Sequence, residues 1–545
     1  MNNLIHNFNI NTILNYIGNN YFIIFIIIIA VSIVYIFCFD KKFYKLISNV
    51  FVIDGIALIL FIALNTYILY VNKYEYLFRP SIYFLIAVLA MSIVILSISE
   101  FLKRGSIVRF KNLSWNLNDF CRGWLITGKT GSGKTASAIM RILHQLFTNT
   151  PNWGGLVVDE KGSFFKILAD VAENYKIKDK LITLQVRPDT APTNWTPKFK
   201  FNLLSYPGIP WSTYAKIIVD TATSQGQSGD KGFFKSQALI HIAKAMEFLE
   251  VLDIPVTISN ISELLQSSDS FIRMTENMSD NQSRHPAALH FADNFLNQPP
   301  DQQGAVISTI FNYLHFYTDP NIKEIFCAEE SNVNLADIDK GKIFSISLPQ
   351  KYQIERKYIN TFMKFLYYIH ALKRFDSPGR IKDKNILVLM ADEAQGVVTN
   401  SSEGMEDYNV LDKIREAKAT AIFATQSTTS FLPKLGHDKT KTLLLNLGNH
   451  IYYTLADKDG ANIAADHIGK KEYDKKSYSH SQGKTTVNYQ KIEEHYIKTH
   501  VLMKMKKFHC VIKHCEGKFI KTKLTPVDSN NQRPKYYKWY KRILG

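Results

Sequence analysis

Trp124-Leu-Ile-Thr-Gly128-Lys-Thr-Gly131-Ser-Gly133-Lys134-Thr135 runs a short apolar stretch straight into a glycine-rich octapeptide. Ile139, Leu143 and Leu146 then fall on one helical face, so the segment reads strand, G-x-x-x-x-G-K-[ST] loop, helix. Glycines at these positions let successive backbone N–H groups close around phosphate oxygens at a helix N-terminus. Gly128, Lys129, Thr130, Gly131, Ser132, Gly133, Lys134 and Thr135 are the expected nucleotide-binding residues. Lys134 would reach the β- and γ-phosphates of ATP, and the Thr135 hydroxyl would bind Mg²⁺.

A second element supplies carboxylates. Residues 385–391 form an almost wholly apolar run that ends in Asp392-Glu393. Asp392 is expected in the Mg²⁺ shell, and Glu393 beside the γ-phosphate as the group that orients or deprotonates water. A third apolar run, 421–424, leads to Gln426, which would sense the γ-phosphate or position water, or be a simple polar strand end. Arg415, eleven residues earlier, lies in a helical pattern; on pattern alone it is a surface arginine. Strand–loop–helix followed by strand–Asp-Glu is the order of an α/β, RecA-like P-loop NTPase core. The two motifs lie farther apart than such a core requires. The intervening residues 210–325 show helical periodicity, polar loops and few strand signals, which predicts an inserted all-α domain.

The rest of the chain is uneven. Residues 21–39, 50–71 and 81–99 are apolar runs of membrane-spanning length, the second carrying Asp54. Residues 1–20 contain no Lys or Arg, which excludes a cleaved secretory signal. Lys41, Lys42 and Lys45 follow the first run, and Lys103, Arg104, Arg109 and Lys111 follow the third, placing both regions in the cytoplasm. Lys73 and Arg79 sit between the second and third runs, against that rule, and leave two spans with a re-entrant segment as the alternative. The formal charge is +17, and five cysteines in 545 residues exclude a disulfide scaffold. Residues 1–100 carry only one net positive charge, so a polyanion or lipid headgroups would meet the excess in the rest. The expected organisation is a membrane anchor (1–104), nucleotide core (105–209), all-α insertion (210–325), the core's second part (326–527) and a basic tail (528–545).

Together these features resemble the type IV coupling proteins, membrane ATPases of bacterial conjugation and type IV secretion. The resemblance also takes in Val157-Val-Asp-Glu-Lys-Gly162, Phe201-Asn-Leu-Leu-Ser, Phe344-Ser-Ile-Ser-Leu-Pro349 and Asn446. It implies a homo-hexamer at the bacterial inner membrane, with Arg415 as an arginine finger. The implied partners are secretion-channel components and a cargo of single-stranded DNA with its relaxase, effector proteins, or both. A third span departs from the many members with two. An FtsK-like duplex DNA translocase shares the core, and a secretion receptor or scaffold using ATP only for assembly is a further reading. His509, Cys510, His514 and Cys515 read as hairpin residues or a metal cluster, and the basic, Tyr-containing stretch 470–489 as a pore-side or solvated loop.

Overall fold

A computed structural model describes residues 105–226, 232–376, 381, 383–400, 405–481 and 484–534. The expected membrane runs and residues 535–545 of the basic tail lie outside the described residues. Among the described residues, no helix is long and apolar enough to cross a membrane.

Strands β1 (Val108–Phe110) and β2 (Leu113–Trp115) form a small hairpin. They precede β3 (Trp124–Thr127), β4 (Gly154–Asp159), β5 (Leu181–Gln185), β6 (Ile343–Ser347) and β7 (Leu387–Asp392). Then come β8 (Ala419–Thr425), β9 (Asn449–Tyr452), β10 (Lys470–Ser481), β11 (Lys484–His495), β12 (His509–Lys513) and β13 (Phe519–Lys523). The central sheet has nine strands in the order β13-β12-β9-β3-β8-β7-β4-β6-β5. Every pair from β9 to β5 is parallel, and β12 and β13 add an antiparallel edge. The phosphate-loop strand β3 and the Asp392 strand β7 are separated only by β8, so their C-terminal tips share one sheet edge.

Both faces of this sheet are covered. Leu387, Leu389 and Ala391 enter one apolar core with Leu125 and Leu156, whereas Val388 and Met390 enter the other with Trp124 and Ile126. A parallel strand buried on both faces needs apolar residues at every position, which is why 385–391 reads as an unbroken run. Helices α1 (Met140–Asn149), α2 (Phe164–Asn174), α3 (Gln353–Lys373), α4 (Asp407–Ile414), α5 (Leu432–Asn446) and α6 (Lys458–Ile468) connect the strands.

From Trp211–Ser224 to Pro320–Phe326 the described elements are all helices. Their apolar residues, Ile217, Phe248, Phe291 and Ile310 among them, join the same core as Leu389. The two ends of this segment meet where Phe201 N–H bonds Ile325 O (2.7 Å), Leu203 N–H bonds Phe326 O (3.1 Å) and Asn202 bridges Cys327. That neck returns the chain to the sheet at the point where it left.

Helix α3 holds several buried polar side chains. Lys364 is fully buried; its ammonium donates to Asp407 Oδ2 (2.6 Å) and to Val397 O (2.7 Å). Asp407 also accepts from Tyr368 OH (2.6 Å) and Thr399 N–H (2.8 Å), so the charge pair is closed on both sides. Burial holds Lys364 below the ordinary lysine value, and Asp407 opposes that shift.

One expectation is corrected. Within 470–489, expected as a loop, the chain forms β10 and the start of β11, a twelve-pair antiparallel ribbon. Its described residues include exposed Tyr473 and Tyr489. The side chains described within 470–489 are exposed, and the stretch has no apolar alternation to mark it as strand.

Candidate nucleotide site

Four backbone segments converge at the tips of β3, β7 and β8. Gly128 N–H bonds Gln426 O (3.1 Å), and Lys129 N–H bonds Thr454 O (2.8 Å), which fixes the start of the loop against its neighbouring strands. Gly133, at φ +110°, lies against Phe508; a Cβ there would come 2.4 Å from the Phe508 ring, so no other residue fits. The following helix opens with a wide turn in which Met140 N–H reaches back five residues to Thr135 O, a π-type feature common at functional sites.

Lys134 is 7% exposed and donates to Gly128 O at 2.5 Å, across the concavity of the loop. Burial pushes its pKa down, while Glu393 and Asp392 pull it back up. Asp392 shows the complementary behaviour: burial and the adjacent Glu393 lift it above the usual carboxylate range, against the pull of Lys134 and Lys161. The Thr135 hydroxyl faces Asp392 Oδ2 at 3.4 Å. A hydroxyl and a carboxylate oxygen at that separation suit neighbouring positions on Mg²⁺, which takes oxygen ligands at about 2.0–2.1 Å and keeps several waters. Thr135 and Asp392 therefore fit the ion, which when bound would neutralise phosphate charge.

Glu393 follows β7 at φ +54° and is 8% exposed. Gln395 Nε2 donates to Glu393 Oε2 (2.9 Å), and Gln395 Oε1 accepts from Thr425 Oγ1 (2.8 Å), so a polar chain runs from the tip of β8 to the carboxylate. Lys134, Thr135, Asp392 and Glu393 line one pocket with Lys161, Lys507 and Phe508. Lys129, Thr130, Gly131 and Gly133 complete the loop side, whereas Ser132 is buried behind it.

The structure separates the other two candidates. Gln426 sits at the tip of β8 and contributes its carbonyl to the loop, but its side chain is exposed and off the pocket wall. Arg415 closes α4 at the opposite end of β8, where its charge is felt by Cys121 just before β3. At about 3.3 Å per residue, the seven residues of β8 put roughly 20 Å between Arg415 and the pocket of its own chain.

Gln395, Lys507 and Phe508 are not marked by the sequence, and Lys161 has no assigned role there. Gln395 was within reach, two residues past Glu393. Lys507 and Phe508 carried no signal, because only the β9–β12 pairing brings them under the loop.

Among the described residues, Asp119, His514 and Cys515 bring donor atoms within 4.8 Å of one another. His514 Nδ1 accepts the Glu516 N–H (3.1 Å), which engages the imidazole lone pair, and burial and Asp119 raise the Cys515 thiol to about 12. The group reads as a hydrogen-bonded turn of the β12–β13 hairpin. His509 and Cys510 lie on β12, with Cys510 fully buried.

A family model described as type IV secretory system conjugative DNA transfer matches residues 99–513. The bacterial conjugative coupling protein TrwBdeltaN70, in its unbound monoclinic form, is a similar solved structure: 14% identical, covering 79% of this chain and 90% of that one, with a TM-score of 0.59. Plasmid coupling protein TrwB in complex with ADP and Mg²⁺ is 13% identical over 78% of this chain and 91% of its own, with a TM-score of 0.56. At these identities the likeness is one of fold. No curated protein sequence matches the chain.

Proposed function

Because this chain belongs to the type IV secretory system conjugative DNA transfer family, we propose that it is an ATPase, anchored in the bacterial inner membrane, that recruits substrate and drives its transfer through a secretion or conjugation channel. One observation carries this reading. The Gly128–Thr135 loop and the Asp392-Glu393 pair close on a single pocket, while Arg415 stands out of its reach at the far end of β8. In this reading Mg²⁺·ATP binds between Lys134, Thr135 and Asp392. Glu393 takes the proton of the attacking water, and Arg415 enters the pocket of the neighbouring subunit in a hexamer. There it stabilises charge developing on the γ-phosphate.

In this reading the helical insertion senses this chemistry. Gln225, at the end of Trp211–Ser224, donates to Gly396 O (3.1 Å), and Lys434 of α5 donates to the same oxygen (2.8 Å). Gly396 is three residues beyond Glu393, so cargo bound to the insertion would act on the pocket through a few hydrogen bonds.

Subunit mixing tests the shared site. Full-length Arg415→Ala protein in detergent is expected to lose about a thousandfold in turnover. Lys134→Ala protein should lose nucleotide binding altogether. A mixture of the two should regain activity, because intact Arg415 of one chain faces an intact loop of another. A mixed assembly as inactive as its parents would overturn the shared-site reading.

The cargo reading rests on charge. With sixteen net positive charges beyond residue 100, the protein is expected to bind single-stranded DNA without strong sequence preference. Log affinity should fall against log salt with a slope of about −0.7 per phosphate contacted. A salt titration by fluorescence anisotropy measures this. Absent binding at low salt, or a flat response, would favour protein cargo.

A further inference from the structure

We infer that Lys161 is a further cationic contact to the terminal phosphate of the bound nucleotide, delivered by a turn that α3 and its leading loop hold in place. The inference rests on the ATPase reading and adds a residue from outside both the phosphate loop and the Asp392-Glu393 pair.

Lys161 emerges at the right edge of the sheet. Its strand, β4, lies beside β7 with Asp159 in register with Asp392, so the turn after β4 leaves the sheet next to the pocket. Asp159 itself is engaged elsewhere: its Oδ2 accepts the N–H groups of Ser163 (2.9 Å) and Phe164 (3.0 Å) and starts α2. That leaves Lys161 as the ionisable side chain that this turn presents to the pocket wall.

The backbone of the turn is fixed at three successive residues. Arg356, 1% exposed, donates through Nη1 to Glu160 O and through Nη2 to Leu348 O (2.9 Å) and Pro349 O (2.8 Å). Gln350 Nε2 donates to Lys161 O. Gly162, at φ +63°, rests on the Arg356 guanidinium, where a Cβ would come 2.8 Å from Cζ. Lys357 pairs with the Glu160 carboxylate at 3.1 Å, which keeps that acid off the pocket. Gln350, Arg356 and Lys357 are thus positioning residues.

The side chain they present is exposed, and among the described residues its ammonium has no ion-pair partner. Its charge nonetheless acts on the site, pushing the pKa of Lys134 down and helping to hold that of Asp392 down. During hydrolysis the water oxygen bonds to the γ-phosphorus as the bond to the β,γ-bridging oxygen breaks. The electron pair leaves with ADP, and the water proton passes to Glu393. An ammonium beside the γ-oxygens stabilises their charge in that step. It touches nothing that ADP retains.

That asymmetry gives the test. Affinities for ATP and for ADP are measured on full-length Glu393→Gln protein in detergent, with and without Lys161→Ala. The expected result is a loss of roughly tenfold for ATP and almost none for ADP, with Lys161→Arg restoring part of it. In the otherwise wild-type chain, Lys161→Ala should cut turnover by about tenfold or more with an unchanged melting temperature. Equal losses for ATP and ADP, or no loss for either, would overturn the assignment. A folded chain with intact Lys161 that binds no ATP would overturn the ATPase reading itself.

Discussion

Glu393→Gln protein is expected to bind ATP as tightly as the unmodified chain and to hydrolyse it at least about a hundredfold more slowly. The substitution keeps the shape of the side chain and removes only its capacity to take a proton. Lys134, Lys161 and the loop N–H groups, which match the phosphate charge, are untouched. The mutant amide can still meet Gln395, whose own amide can turn, so the positive-φ backbone at residue 393 has no reason to relax. Phosphate release in single-turnover conditions, set beside a nucleotide affinity measurement, separates the two effects. Turnover at the unmodified rate would remove Glu393 from the role of base.

Asp407→Ala should be the most destabilising single change in the described core, costing about 3–5 kcal/mol. It strands the fully buried Lys364 ammonium without its counter-charge, and leaves Tyr368 OH and Thr399 N–H without their acceptor. Replacing both charges together, as Lys364→Met with Asp407→Leu, should recover the part of the loss due to the stranded ammonium, while Tyr368 OH and Thr399 N–H still lack their acceptor. Urea unfolding of the single and double variants checks both statements. A single variant as stable as the parent would show that the pair contributes no net stabilisation. The pair joins α3 to the segment after Glu393 and to α4, so a stable double variant with lowered turnover would identify it as a strut between those elements.

The phosphate loop was legible because its chemistry is local: glycines, lysine and threonine act within eight residues, and the flanking strand and helix follow directly. The Asp392-Glu393 pair was legible for a different reason. A strand buried on both faces is apolar at every position, so the first acids after it mark the strand tip. Legibility failed where contacts are distant. Phe508 closes against Gly133 from the far end of the chain, and nothing around Lys507-Phe508 sets it apart from any other basic-aromatic pair. Arg356 reads in sequence as a surface charge on a helix, yet it is buried because three carbonyls converge on it. The β10–β11 ribbon failed in the opposite sense, because its sequence lacks the apolar alternation of a half-buried strand.

The Phe508–Gly133 contact also sets a timetable for synthesis. Phe508, which with Lys507 forms one wall of the pocket, is translated about 375 residues after Gly133 of the phosphate loop. At about 5–20 residues per second, that interval is on the order of half a minute. Over that interval β3 also waits for its partner strands β8 and β9, so the nascent chain exposes a loop with neither its neighbours nor its wall. Cellular nucleotide therefore meets an unfinished cradle until Phe508 has emerged, and the order of the gene delays the first turnover.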